Sequence, residues 1–165
     1  MADAATIATT DVVARMGDVA VSGVPGEVLV SVGLGSCIGL ALVSRRLRVC
    51  GLAHIMLPDS QGRDSERPGK FADHALPALL QQLAARGATV PTLQGVVVGG
   101  AQMFANSGME IGARNEDAVR NGLTLAGITV VAAATGGSVG RTIRVHVETG
   151  TVTVREAGSQ EVTLL

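Results

Sequence analysis

The chain has no tryptophan and no tyrosine, and its whole aromatic content is two phenylalanines. Single-stranded nucleic acid therefore finds no stacking platform here. Charge is scarce as well: Lys and Arg number 13 against 14 Asp and Glu, a net of −1. That balance favours neither nucleic-acid phosphates nor an anionic membrane surface. Nucleic acid is not an expected partner. Cysteine is limited to Cys37 and Cys50, which read as free thiols rather than a structural disulfide. The start, Met1-Ala-Asp-Ala-Ala-Thr, lacks the basic and apolar regions of a secretory signal. Two uncharged stretches, 87–109 and 121–140, are broken by Pro91, Gly99-Gly100, Asn106, Thr129 and Gly136-Gly137. Such interruptions argue against a spanning helix, so no membrane insertion and a cytoplasmic location are expected.

What is present is a 47% apolar chain of 165 residues with 22 glycines. That is enough for a core built from Val, Leu, Ile and Ala, and the glycines signal tight turns. The length suits one domain over residues 1–165, with residues 1–20 a loose N-terminal arm and a strand near 18–22. Short β-rich runs follow at 28–32, 38–44 and 48–54. The polar segment 58–70 reads as a mobile loop. Leu76, Leu79, Leu80 and Leu83 recur at helical spacing before Gly87, with Pro77 requiring an early position or a kink. Residues 95–100 and 128–133 are buried-type strands flanking a helix over 114–126. Residues 141–147 and 151–155 alternate as a terminal hairpin. The order argues for an α/β chain with a mixed sheet or two.

The sharpest local feature is Gly33-Leu34-Gly35-Ser36-Cys37, followed by His54 in Gly51-Leu52-Ala53-His54. Amide hydrolysis requires a nucleophile, a proton shuttle and donors for an oxyanion. A thiol beside an imidazole supplies the first two, and backbone amides around Gly35 and Ser36, exposed by the glycines, supply the third. A hairpin centred between Arg45 and Arg46 would set Cys37 directly opposite His54, with Cβ atoms ~4.5–5.5 Å apart. Cys50 then falls on the same face, roughly 13 Å further along, as a core residue.

Ser31 is the candidate to orient the imidazole, on one condition. If Gly33–Gly35 were a plain hairpin turn, Ser31 would lie two strand spacings from His54, roughly 9.5 Å, too far to bond. A role for Ser31 needs a different fold of the glycine segment. The plain alternatives stand beside these readings: a cysteine among glycines packs as a small hydrophobe, and a lone histidine on an apolar strand packs as a bonded core residue. Cys37, Cys50, His54 and His74 do not have the spacing of a compact zinc motif. Gly33-Leu34-Gly35 lacks the Lys-Ser/Thr of a phosphate loop. No metal and no cofactor are expected. Loop 58–70 and Arg141 are open between substrate contact and plain structure.

The sequence resembles the CheD family of bacterial chemoreceptor glutamine deamidases. The matching segments are Gly33-Leu34-Gly35-Ser36-Cys37, Ala53-His54-Ile55-Met56-Leu57-Pro58, Phe71-Ala72-Asp73 with Ala75-Leu76-Pro77, Gly99-Gly100-Ala101 with Met103-Phe104, Ile111-Gly112 with Arg114-Asn115, Gly136-Gly137 with Gly140-Arg141, and Thr149-Gly150. They occur in family order over most of 20–155. The resemblance implies conversion of glutamine side chains on methyl-accepting chemotaxis receptors to glutamate, with Cys37 as nucleophile and His54 as its histidine. It places Ser31 where the family usually has Thr. Ser keeps the hydroxyl without the methyl that restricts its rotamer. Ala133-Ala134 stand where the family commonly has acidic residues. The implied fold is an α/β three-layer sandwich with mixed β-sheets and helices, similar to cytotoxic necrotizing factor-like cysteine deamidases. A CheC-type phosphatase is an implied further partner. Two competing readings are a non-catalytic chemotaxis adaptor and an amidase of free glutamine.

Overall fold

The computed structural model describes residues 8–104 and 110–165. The opening residues of the expected arm and Asn106 lie outside that range. Ten strands and two helices are present among the described residues: β1 (Thr10–Val13), β2 (Val19–Ser22), β3 (Glu27–Leu34), β4 (Ile38–Ser44), β5 (Val49–Ile55), α1 (Ala72–Ala85), β6 (Gln94–Gly99), α2 (Ile111–Ala126), β7 (Thr129–Thr135), β8 (Arg141–His146), β9 (Val152–Glu156) and β10 (Val162–Thr163). One sheet has the order β1-β3-β8-β9-β10 and the other β2-β5-β4-β6-β7. Each is mixed, because β1 runs parallel to β3 and β6 parallel to β7.

The second sheet is apolar on both faces, which is why β4 and β5 read as near-continuous hydrophobic runs. One face packs Ile38, Leu40, Leu42, Ala53 and Ile55 beneath Ala75, Leu79 and Leu83 of α1 and Val119 and Leu123 of α2. The other packs Ala41, Val43, Cys50 and Leu52 against Leu29, Ile143, Val145 and Val152 of the first sheet. The architecture is therefore α/β, with two mixed sheets and the helices on the outer face of one of them.

Helix α1 turns Ala72, Ala75, Leu79 and Leu83 inward. Leu76 and Leu80 are only partly buried beside that core, and Leu76 closes on the bare Gly122 of α2. Pro77 lies inside the helix, where it removes the N–H that would reach the Asp73 carbonyl. Helix α2 begins three residues earlier than its apolar spacing suggested, because Gly112 lets its first turn lie against the backbone of Gly100 and Ala101. Gly127 ends it in the left-handed conformation (φ 77°). Its N–H donates to the Thr124 carbonyl, and the next, of Ile128, to that of Leu123.

Two expectations change, and one open reading closes. Residues 8–20 are not a loose arm: β1 adds to the edge of β3, and the strand expected near 18–22 is β2, on the edge of β5. The 58–70 segment is pinned rather than free. Ser60 is buried and bonds Asp73 through both its N–H and its hydroxyl (2.9 and 2.6 Å), and the Gly69 N–H donates to Gly17. Arg141 is structural: nearly buried, it donates to the carbonyls of Gly99 and Gly136 and pairs with Glu156, so it ties the two sheets together.

Candidate functional site

Strands β3 and β4 do not form a hairpin. They belong to different sheets, so Gly33–Cys37 is a crossover between layers. The pairing of β3 with β8 slips between Ser31 and Leu34, where Val32 and Gly33 are both exposed and Gly33 has φ +72°. That bulge re-aims the chain, sending Leu34 inward over Gly39. A Cβ on Gly39 would come within 2.8 Å of Leu34 and 3.1 Å of Ile143.

The crossover is held by its carbonyls. Gly33 accepts from the Gly35 N–H (3.0 Å), Gly35 from Ala101 (2.9 Å), and Cys37 from Gly100 (3.0 Å). The Ser36 carbonyl accepts from the Asn115 side chain at 2.9 Å. The Gly35 amide is thus engaged. Those of Ser36 and Cys37 donate to nothing among the described residues.

The register of β4 and β5 differs from the expected one. His54 stands opposite Gly39, and Ile55 opposite Ile38, so Cys37 is a diagonal neighbour of His54 rather than its direct partner. The cause is the turn, which takes four residues from Arg45 to Arg48. Arg48 is left-handed (φ 53°) and donates its N–H to Arg45 at 3.3 Å. Both side chains keep the same face: Cys37 packs against the inter-sheet core, and His54 continues the Cys50–Leu52 alternation that lines it. Diagonal neighbours sit ~7–8 Å apart between Cα atoms, within reach of long side chains.

His54 is 1% exposed, and neither ring nitrogen has a hydrogen-bond partner among the described residues. Burial holds its pKa below 6.5, opposed by the nearby Ala14 carbonyl and the Asp18 carboxylate. Ser31 is fully buried and its hydroxyl donates to that Ala14 carbonyl at 2.7 Å. Ser31 therefore relates to the ring through the Ala14 carbonyl, across the two sheets. A cavity of about 640 Å³ opens at His54, lined by Ala14, Val32 and Met56 together with Arg15, Arg67 and Lys70. Ser36 lines a second, of about 660 Å³, with Ala101, Met103 and Ile111.

Cys37 is half-buried, and burial pushes its thiol above 9.0. Cys50 is fully buried against the Val147 carbonyl, and burial pushes it up to about 12. It is a core residue, as expected. His74 makes an edge contact with Phe71, ring centroids 5.5 Å apart, and His146 is half-buried on β8. Asn115 is the residue that sequence reasoning missed. The sequence held it only within the Arg114-Asn115 family match, with no role attached; a further signal is its polar position on the apolar stripe of α2, between Gly112 and Val119.

A thiol and an imidazole on one sheet face, beside two unengaged amides, are the groups that a thiol-dependent acyl-transfer site requires. The family model described as CheD chemotactic sensory transduction matches residues 56–156. The chain is 42% identical over 146 residues to the chemoreceptor glutamine deamidase CheD of Thermotoga maritima, covering 88% of this chain and 92% of that one. It is 45% identical over 140 residues to a probable chemoreceptor glutamine deamidase CheD of Moorella thermoacetica, covering 81% and 83%. A similarly named protein of Haloarcula marismortui is 38% identical over 138 residues, covering 82% and 80%. The chain belongs to the CheD family. The family-model match begins after Ser31, Cys37 and His54, whereas the Thermotoga match leaves about 20 residues uncovered and so takes all three in.

Proposed function

We propose that this chain hydrolyses glutamine side chains of chemoreceptors to glutamate, releasing ammonia in the cytoplasm. The reading draws on family membership and on one structural observation: the Gly33–Cys37 crossover sets a half-buried thiol beside the unengaged amides of Ser36 and Cys37, on the face that carries His54. Cys37 gives its proton to His54, and its sulfur attacks the side-chain carbonyl carbon. The carbonyl oxygen gathers negative charge and is received by the Ser36 and Cys37 N–H groups. Collapse of this intermediate breaks the C–N bond, and the imidazolium delivers the proton that leaves with ammonia. The thioester is then opened by water, which loses a proton to His54, and the thiol is restored. Ser31 fixes the Ala14 carbonyl beside the ring. The Gly35 amide, bonded to Gly33, serves as a brace for the crossover. The two-sheet arrangement is compatible with kinship to the cytotoxic necrotizing factor-like deamidases.

The test incubates a receptor cytoplasmic fragment with wild type and with Cys37→Ala and reads deamidation by mass spectrometry. Wild type adds about 1 Da per converted glutamine, the difference between NH₂ and OH, and Cys37→Ala adds none. Equal conversion by both removes the mechanism. Rapid ammonia release from free glutamine, without receptor, would redirect the substrate assignment.

A further inference from the structure

A trans peptide carries its C=O and N–H in opposite directions, so whatever holds a carbonyl also aims the following amide. In the crossover, Ala101 and Gly100 hold the Gly35 and Cys37 carbonyls through backbone donors. The Ser36 carbonyl is held differently, by the Nδ2 of Asn115 on α2 at 2.9 Å. That carbonyl shares its peptide plane with the Cys37 N–H. Drawing it toward α2 turns the Cys37 N–H away from α2.

The same Nδ2 also donates to the Met56 carbonyl at 3.0 Å, two residues beyond His54. One amino group thus spans the segment carrying the thiol and the segment carrying the imidazole. Asn115 is fully exposed to neither solvent nor cavity: its relative exposure is 0%, and its Oδ1 has no partner among the described residues. An unpaired buried acceptor is unfavourable, and an apolar side chain of like volume would avoid it. The two donor contacts account for an asparagine at this place.

Resting on the reading of Cys37 as nucleophile, we infer that Asn115 is a positioning residue that locks the Ser36–Cys37 peptide so that the Cys37 N–H faces the developing oxyanion. It touches no substrate and acts through that peptide plane. The readout that separates this role from general support is a reaction of the same sulfur that forms no oxyanion. Alkylation of Cys37 by iodoacetamide is a displacement at a tetrahedral carbon and needs a thiolate but no oxyanion donor.

Asn115→Ala is measured for kcat and KM on a receptor cytoplasmic fragment, and for Cys37 alkylation at matched pH, with circular dichroism to establish the folded fraction. The expected result is a fall in kcat of about 100-fold, within the range for loss of one oxyanion donor. KM and the alkylation rate stay within about threefold. Asn115→Leu, which keeps the branched side-chain shape and has no polar hydrogen to donate, carries the same test should Asn115→Ala not fold. Unchanged kcat in a folded variant overturns the inference. So does a parallel loss of deamidation and alkylation, which would make Asn115 a brace for the thiol itself. Failure of the underlying functional reading is seen separately, as equal deamidation by wild type and Cys37→Ala.

Discussion

Removing the Ser31 hydroxyl perturbs a bond that joins β3 to the residue following β1 within one sheet, at a carbonyl that lies near the imidazole of the other. Ser31 is fully buried, and its Oγ donates to the Ala14 carbonyl at 2.7 Å. Ser31→Ala leaves that carbonyl without this donor in a place water does not reach, at a cost of about 1–3 kcal/mol. For a chain of 165 residues, each kcal/mol lowers Tm by ~2–4 °C, so the variant melts ~2–12 °C lower. The urea midpoint falls with an unchanged m value, because the exposed area on unfolding is the same. The Ala14 carbonyl also favours the protonated form of His54, the form that delivers a proton to ammonia in the proposed mechanism. Freed from Ser31, that carbonyl loses its fixed position beside the ring, and kcat falls by about tenfold with KM little changed. Ser31→Thr keeps the donor and narrows its rotamers, so it retains both stability and rate. Wild-type melting and wild-type kcat in Ser31→Ala would refute the relay. Inactivity as deep as that of Cys37→Ala, at wild-type stability, would instead put the hydroxyl on the reacting atoms.

Gly99→Ala is expected to destabilise by about 2–6 kcal/mol, from backbone strain and overpacking together. Gly99 has φ +112°, and a Cβ there would meet the Cys37 carbonyl; urea unfolding measures the loss, and wild-type stability would contradict the close approach. Labelling by a small thiol reagent at pH 7 is expected to mark Cys37 well ahead of Cys50, read by peptide mass spectrometry. The Cys50 thiol, raised to about 12, is ionised to only about one part in 10⁵ there. His54 is held below 6.5 in the folded chain, so the unfolded chain binds the extra proton in the window just under 6.5. Stability contributed by the neutral ring is therefore complete above 6.5 and is lost as pH falls through the folded value. Urea unfolding of wild type between pH 7.5 and 5 should show that loss, and folded His54→Gln should lack this component.

The parts of the fold written into local pattern were legible, and the parts set by a few turn atoms were not. Residues 38–44 were expected as a strand and form β4 with those bounds. The leucine spacing before Gly87 marked α1, and the alternation on either side of Glu148-Thr149-Gly150 marked β8 and β9. The register of β4 with β5 escaped because Arg48 adopts a left-handed conformation without the Asn-Gly or Asp-Gly signal that usually announces one. Strand β1 escaped because its partner, β3, lies 17 residues away by the Val13–Val30 pairing, a contact no local window contains. The condition attached to Ser31 was the informative one. Its role required that Gly33–Cys37 not be a plain turn, and the crossover between sheets meets that condition. The role of Asn115, which the sequence showed only as part of the Arg114-Asn115 match, stayed hidden because its partners are carbonyls, which carry no side-chain signature.

The charge state of the thiol follows from the same burial that builds the core. The ordinary values of 9.0 and 6.5 already place the proton on sulfur, and burial moves Cys37 up and His54 down, widening the gap. Mutual attraction of a thiolate and an imidazolium ~4 Å apart recovers about 4 kcal/mol at an effective dielectric of ~20, or about three pKa units. The starting gap alone takes up most of that. On the proposed mechanism the pair therefore rests neutral, and charge separation completes when a carbonyl oxygen arrives to take the negative charge onto the Ser36 and Cys37 amides. That mechanism, if Cys37→Ala abolishes deamidation, puts selectivity in the oxyanion donors and the walls around them rather than in a permanently reactive sulfur.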